Sequence, residues 1–402
     1  MKFVLVGTGS AGDLVPCLRL AGALARRGYQ PTVIALEDYA PRQRFDFPVH
    51  TIPGGEDSLW PRPRVLRKVS LANPGAMYLA MRRKLAQLAP RVNDALLELV
   101  DADTTLVSNS VTMVAGRLLA YARGARHASL LFAPLLPTPN SASCVFVPPA
   151  IRGRTGTAIA HLMWALTQEL GGACAEDLRC RLDMVDPAGP DHGPLVMATS
   201  PFVTPHSGHW PGNVVQTGWF RSARDDRSPL PASLALFLRR HPEPLLMSFG
   251  SVLVRDPVAD LALFRAATPP GRGLVVQSRA LPPGPWGDTA YNALGLDHTA
   301  LLPHVAQVVH HGGAGTTYAA LAAGKPALVI PHLGDQAYYG RRVHALRAGP
   351  RPLPRARLSA RKLRAAVRRL DDPAYAAGAG VAQRILARED GIAHAVQVLE
   401  RT

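Results

Sequence analysis

Twice along the chain a short β-rich run opens straight into a glycine loop and then into a helix. Lys2–Val6 leads into Gly7-Thr8-Gly9-Ser10-Ala11-Gly12, after which Leu14, Leu18, Ala21 and Ala25 recur at helical spacing. Residues 305–309 lead through His310-His311 into Gly312-Gly313-Ala314-Gly315, with a helix from Thr316. Between these units strand and helix signals keep alternating. Residues 31–36 follow the first helix, which closes on Arg26-Arg27 and Gly28; residues 244–249, 273–277 and 327–330 are strand-like in the second half, with helical segments at 258–267, 317–323 and 338–346. Such β-α-β repetition requires parallel sheets covered by helices, an α/β class.

With 402 residues, 47% hydrophobic and 18% charged, the chain is too apolar and too sparsely charged to be disordered, and long enough for two domains. The stretch 221–232, rich in Asp, Arg, Ser and Pro, is read as the linker. The domains are then 1–220 and 233–385, with a C-terminal helix at 386–402 able to pack back on the first domain.

Cys17, Cys144, Cys174 and Cys180 form no CxxC pair, which suits free thiols in a reducing compartment. Phe3-Val4-Leu5-Val6 is too short for a signal-peptide core, and the uncharged stretches 127–151 and 192–220 are broken by prolines. The expectation is a soluble, cytoplasmic protein. The formal charge of +16 raises nucleic acid as a partner, but no recognition module is present and aromatics are only 6%. Lysine stands at five positions only, so the charge is largely an arginine-rich composition. Two basic clusters stand out, one holding Arg62, Arg64, Arg67, Lys68, Arg82, Arg83, Lys84 and Arg91, the other running through 351–369. They read either as solvated helix faces or, for the first, as a contact for an anionic acceptor or a membrane surface.

The first loop fits GxGxxG and is followed by Glu37-Asp38, the fingerprint of a dinucleotide site, so an NAD(P) or flavin oxidoreductase is one reading. Asp13 opposes it, because a carboxylate at the helix start would repel a pyrophosphate. It is either a plain N-cap or a carboxylate held at a ligand cleft. The second loop offers free backbone N–H groups, a helix N-terminus and small residues that admit a phosphate, with a histidine at the strand end as a further donor. Pro331-His332-Leu333-Gly334-Asp335-Gln336 brings a carboxylate and an amide, suited to sugar hydroxyls, to the same sheet edge.

His310-His311-Gly312-Gly313-Ala314-Gly315-Thr316 followed by Asp335-Gln336 resembles the donor signature of family 1 glycosyltransferases with the GT-B fold. Gly9-Ser10-Ala11-Gly12-Asp13-Leu14-Val15-Pro16 resembles the acceptor-side loop of their bacterial antibiotic, sterol and rhamnolipid branches. Val214-Val215-Gln216-Thr217-Gly218-Trp219 and Met247-Ser248-Phe249-Gly250-Ser251 are similar to two further family segments, whereas residues 40–195 carry no recognised motif.

The resemblance implies two Rossmann-like domains facing across a cleft and an inverting transfer from a dTDP- or UDP-sugar to a hydroxyl of a small-molecule acceptor. A natural product is favoured as acceptor over a sterol or lipid, and the enzyme is expected as monomer or homodimer. Asp13 would be the base, with Ser10 and Gly12 near it and Ser108 or Asn109 as neighbours. Ser251, His311, Gly313, Gly315 and Thr316 would hold the diphosphate, Ser278 and Leu302 the nucleoside, Asp335 and Gln336 the sugar. His310 is either a ligand or a structural residue. No metal or cofactor is implied. Asp101-Ala102-Asp103 spells a DxD ahead of a strand, and His206 and His209 lie between prolines, so neither is taken as a metal site. A nucleotide-sugar-binding protein without catalysis is the third reading.

Overall fold

The computed structural model describes residues 1–39, 45–54, 74–151, 153–184, 193–221, 229–249, 257–332 and 334–402. Ser251, Arg62, Arg64, Arg67, Lys68 and most of the 221–232 linker lie outside the described residues. The chain divides into two compact units. The first comprises Met1–Thr199, His206–Phe220 and Asp390–Thr402, and the second comprises Ser200–Pro205 and Arg221–Glu389.

The first unit runs β1 (Lys2–Val6), α1 (Ala11–Arg26), β2 (Gln30–Leu36), β3 (Val49–Ile52), α2 (Pro74–Leu99), β4 (Thr104–Asn109), α3 (Met113–Arg123), β5 (Arg126–Leu131), α4 (Gly153–Leu170), α5 (Gly172–Leu182), β6 (Leu195–Met197) and β7 (Val214–Gln216). Its strands pair in the order β3-β2-β1-β4-β5-β6-β7, every neighbouring pair parallel. A parallel sheet needs both faces covered, and the strands are accordingly near-continuous buried runs: Phe3, Leu5, Ile34, Leu36 and Leu106 are all within 1% of full burial.

The second unit runs α6 (Ala232–Arg240), β8 (Leu245–Ser248), α7 (Pro257–Ala267), β9 (Leu274–Gln277), β10 (Gly284–Pro285), β11 (Ala290–Asn292), α8 (His298–Leu301), β12 (Gln307–His310), α9 (Ala314–Ala322), β13 (Ala327–Val329), α10 (Gln336–Ala345), α11 (Ala360–Arg369) and α12 (Pro373–Leu386). Its sheet is ordered β10-β11-β9-β8-β12-β13 and is parallel except for the β10–β11 edge. Leu245, Met247, Val309 and Leu328 form a core with Phe264 of α7 and with Leu363 and Val367 of α11.

The last helix, α13 (Gly391–Glu400), belongs to the first unit. Ala395, Val396 and Leu399 join its core, and Arg27 pairs with Glu400 at 2.8 Å. Residues 200–205 belong to the second unit, held by a buried tyrosine group. The Tyr318 hydroxyl accepts from Ser200 N, that of Tyr338 donates to Thr204 Oγ1, and Arg342 Nε donates to the Val203 carbonyl. All four cysteines are free thiols, three of them buried. Among the described residues no helix is long and apolar enough to cross a membrane.

Both strand orders reverse direction once, between β1 and β4 in the first sheet and between β8 and β12 in the second. In open α/β sheets the crevice beyond the carboxyl ends of the strands at such a switch point is where ligands bind. The topology therefore selects two places: the loop after β1 with the end of β4, and the end of β8 with the loop after β12.

Candidate functional site

At the first switch point the chain leaves β1 and turns through Gly7–Gly12 residues into α1. The structure corrects one reading of Asp13: the N-cap of α1 is Ser10, and Asp13 is the third helical residue. The two form a capping box. Ser10 Oγ accepts from Gly12 N at 3.1 Å, while Asp13 Oδ2 accepts from Ser10 N at 2.8 Å and from Ser10 Oγ at 3.1 Å. Gly9 makes this possible. Its φ of 144° is one that side-chain-bearing residues rarely adopt, and a Cβ there would strike the Asp13 carboxyl. Among the described residues no hydrogen bond reaches Asp13 Oδ1. Burial pushes the Asp13 carboxyl above the ordinary range, a shift that the two Ser10 bonds oppose.

The two neighbours suggested by the sequence separate. Ser108 turns into the sheet's helix-covered face, its Oγ 2.6 Å from Nε2 of the buried His127, whose pKa burial and then the Arg117 charge lower to about 3. Asn109 instead reaches the glycine loop.

At the second switch point β12 ends in two histidines with different duties. His310 is fully buried, and its Nδ1 accepts from Gly312 N at 3.1 Å, so it braces the loop. Burial foremost, then His311 and His298, keep it neutral. His311 is partly exposed. Its Nδ1 lies 3.5 Å from the Ser248 carbonyl, which can only accept, so that nitrogen carries the proton and Nε2 is the free corner of the ring. Burial lowers His311 to about 4. Ser248, which ends β8, is tied in turn to His298, Oγ to Nε2 at 3.3 Å.

Gly312 has φ 95°, and a Cβ there would meet Val329 Cγ1 at 2.6 Å and the Gln336 carbonyl at 2.7 Å, so the turn is pressed against β13 and α10. Gly313 is the N-cap of α9, and no side chain caps this helix among the described residues. Gly315 is exposed with open space around it, and Thr316 is nearly buried. The helix thus presents its first-turn N–H groups and the positive end of its dipole without an internal anion.

Asp335 is the N-cap of α10 and makes no capping bond, while Gln336 is buried with Oε1 accepting from His332 N at 2.7 Å. The structure therefore gathers His311, Gly313, Gly315, Thr316, Asp335 and Gln336 at one carboxyl edge, with Gln336 acting at least partly as a brace. On the β9 side, Ser278 N donates to Asn292 Oδ1 at 3.1 Å, and the Ser278 hydroxyl accepts from Ala280 N at 3.3 Å. Leu302 is 2% exposed, so its side chain is packed inside the second unit.

Two residues at this edge were not singled out from the sequence. Asn292, fully buried, holds the Ser278 turn by donating to the carbonyls of Ser278, Leu281 and Pro282. His332, lowered to about 4 mainly by burial, stacks edge-on against Phe249, rings 5.5 Å apart. A strand ending in Pro-His was the available signal for His332; Asn292 left none, because its contacts come from the hairpin.

Some members of the basic clusters are engaged within the fold. Arg82 pairs with Glu169, Arg91 donates to the Pro53 carbonyl, and Arg355 pairs with Asp260. Asp101 of the DxD is held by Lys2 and Thr104 in the turn before β4, and the His206 ring packs edge-on against Trp210.

Residues 295–395 match the family model "Erythromycin biosynthesis protein CIII-like, C-terminal domain". Over its whole length the chain is 27% identical to the O-mycaminosyltylonolide 6-deoxyallosyltransferase of Streptomyces fradiae, covering 97% of that protein. Two sterol 3-beta-glucosyltransferases of Arabidopsis thaliana are each 30% identical over 49% and 52% of this chain, which spans only 32% and 35% of their lengths. Among solved structures, the kitacinnamycin glycosyltransferase superposes with a TM-score of 0.66 at 21% identity, covering 100% of this chain and 98% of that one. A spinosyn rhamnosyltransferase complexed with thymidine diphosphate does so at 0.66 and 17% identity, with both chains covered at 100%. The chain therefore has the two-domain α/β fold of GT-B glycosyltransferases, matches the erythromycin CIII-like C-terminal domain over residues 295–395, and counts sterol and antibiotic glycosyltransferases among its homologues.

Proposed function

We propose that this protein is an inverting glycosyltransferase that moves a sugar from a dTDP- or UDP-linked donor to a hydroxyl of a small-molecule acceptor in natural-product biosynthesis. The observation that carries the reading is the uncapped α9 N-terminus behind His311, set at a switch point inside the family-matched segment. A departing diphosphate needs stabilised charge; the helix amides supply it, and His311, whose proton faces the Ser248 carbonyl from Nδ1, adds a donor at Nε2 once the bound anion draws a second proton onto the ring. The neutral ring of His311 is oriented by the Ser248 carbonyl. Asp13, with one carboxyl oxygen bound by Ser10 and the other open, is suited to take the proton of the acceptor hydroxyl as that oxygen attacks the anomeric carbon. The carbon–oxygen bond to the diphosphate breaks on the opposite face, which inverts the centre. No metal or resident cofactor is assigned a step, and the protein is taken to work in the cytoplasm.

The oxidoreductase reading is weakened by the first loop itself. Ser10 and Asp13 already occupy the helix amides where a dinucleotide would place its pyrophosphate. A sterol acceptor remains the second reading, favoured by the plant sterol glucosyltransferase similarity. Calorimetric titration with dTDP, UDP and NAD(P)H tests the donor assignment. Saturable binding of a nucleoside diphosphate is expected, and binding of NAD(P)H with neither diphosphate would overturn it. Undiminished turnover in excess EDTA is expected of the metal-free mechanism.

A further inference from the structure

We infer that Asn109 is a positioning residue for transfer, fastening the first glycine loop so that Asp13 is presented in one fixed place. The inference rests on the reading of Asp13 as the base.

Asn109 is the last residue of β4, 2% exposed, directly across the switch point from the end of β1. Its amide has two working ends. Nδ2 donates to the Val6 carbonyl at 3.3 Å and to the Thr8 carbonyl at 2.8 Å, about a hundred residues away in sequence. Oδ1 accepts from Val111 N at 3.0 Å, Thr112 N at 3.1 Å and Thr112 Oγ1 at 3.1 Å. The oxygen end shapes the local entry to α3; the nitrogen end grips the loop. The Thr8 carbonyl belongs to the peptide joined to Gly9, the residue whose open backbone admits the Asp13 carboxyl. A displacement at Thr8 therefore passes through one residue to the Ser10–Asp13 box.

The residue type follows from this chemistry. Only a primary amide offers two donors and an acceptor in so small a volume. Aspartate would set a second carboxylate against two carbonyl oxygens, and an apolar residue would leave them unpartnered in a buried place.

The test is Asn109→Asp, which keeps the oxygen end and removes the donor end. Titration of the Asp13 carboxyl by carbon-13 NMR needs no substrate; the variant is expected to raise its pKa further, since a like charge disfavours the ionised form. With an acceptor that supports turnover, kcat should fall about 10- to 100-fold while the donor KM and dTDP affinity stay within about twofold. Thr112→Ala, which removes one donor to Oδ1 and the hydroxyl that accepts from Asn109 N but leaves the nitrogen end of the side chain untouched, should leave both readouts unchanged. If Asn109→Asp does not fold, Asn109→Ser carries the kcat, KM and dTDP measurements, its hydroxyl being able to serve the α3 turn without reaching Thr8, and an unchanged kcat there overturns the inference. An unmoved Asp13 titration with unchanged kcat, or an equal loss in Thr112→Ala, overturns the inference.

Asp13→Asn measured alongside keeps the two readings apart. If Asp13→Asn retains turnover, the base assignment fails. If it is inactive while Asn109→Asp is fully active, only the positioning role fails. In an Asp13→Asn background the Asn109 change should add no further loss.

Discussion

In the first unit the helix after the glycine loop is capped by its own side chains, Ser10 and Asp13; in the second, the helix after Gly313 starts with no side chain on its amides among the described residues. The two loops share a topological position and a composition, yet one is closed by its own side chains and the other has no side-chain cap among the described residues. A glycine loop ahead of a helix thus says that something approaches the backbone closely, and the surrounding polar atoms decide whether it is a side chain or a ligand. In the first loop the visitor is the carboxyl of Asp13 lying against Gly9; in the second the space beside Gly315 is unfilled.

If that contrast is right, the two sites should fail in different ways. Asp13→Asn retains an acceptor for Ser10 N and so preserves most of the cap, but it cannot take a proton. Transfer should drop by about 10³-fold, within the usual range for a general base, while calorimetry with dTDP shows unchanged affinity. Turnover within tenfold of the parent would remove Asp13 from the chemistry. His311→Ala should do the reverse at the open loop. Affinity for dTDP and kcat should both fall, kcat by about 10²-fold, as when one donor to a developing anion is lost. A variant with normal dTDP binding would show that the amides of α9 act without the ring.

Glycine substitutions sharpen the same comparison with smaller effects. Gly312→Ala forces a methyl group against Val329 and the Gln336 carbonyl at a φ unsuited to alanine, so the second unit should lose about 2 kcal/mol or more. Gly9→Ala meets a carboxyl rather than backbone. It should cost less stability but displace Asp13, lowering kcat beyond what denaturation curves explain. Equal stability losses with intact kcat in Gly9→Ala would break the distinction.

How much of this was legible beforehand depended on the range of the interaction. Strand, loop and helix at 2–26 and at 305–322 are local patterns, but both helices begin inside the glycine runs read as loop, the first at Ala11 and the second at Ala314, two residues before the Thr316 start read from the sequence. The gathering of His311, Thr316, Asp335 and Gln336 followed from strands ending on one sheet edge. Whether Asp13 was a cap or a poised carboxylate could not be read locally, because the N-cap is Ser10 and both residues share the box. The choice between Ser108 and Asn109 was also out of reach: adjacent strand residues face opposite ways, and only the packing of His127 shows which way is inward. The duties of His310 and Asn292 depend on partners in turns that no spacing announces.

The last difference between the units is in their response to acid. His310, His311 and His332 crowd the open loop of the second unit, His311 and His332 lowered to about 4 and His310 well below the ordinary range, chiefly by burial. The first unit has one such residue among those with resolved shifts, His127, at about 3. A histidine whose folded pKa is depressed stays neutral in the native state while the unfolded chain takes up a proton near pH 6.5. Its contribution to stability is therefore complete above that pH and is lost progressively as pH falls from about 6.5 toward the folded values. Both units should weaken between pH 7.5 and 5, and the second should weaken more. Hydrogen exchange followed by mass spectrometry at the two pH values, corrected for intrinsic rates, reads the units separately. Peptides from β12 and α9 should lose more protection than those from β4 and β5. Bound dTDP should reduce that loss at His311, since a diphosphate on Nε2 favours a protonated ring and raises its pKa. Equal losses in the two units, or none, would mean that the imidazoles of the open loop are more hydrated than their packing implies.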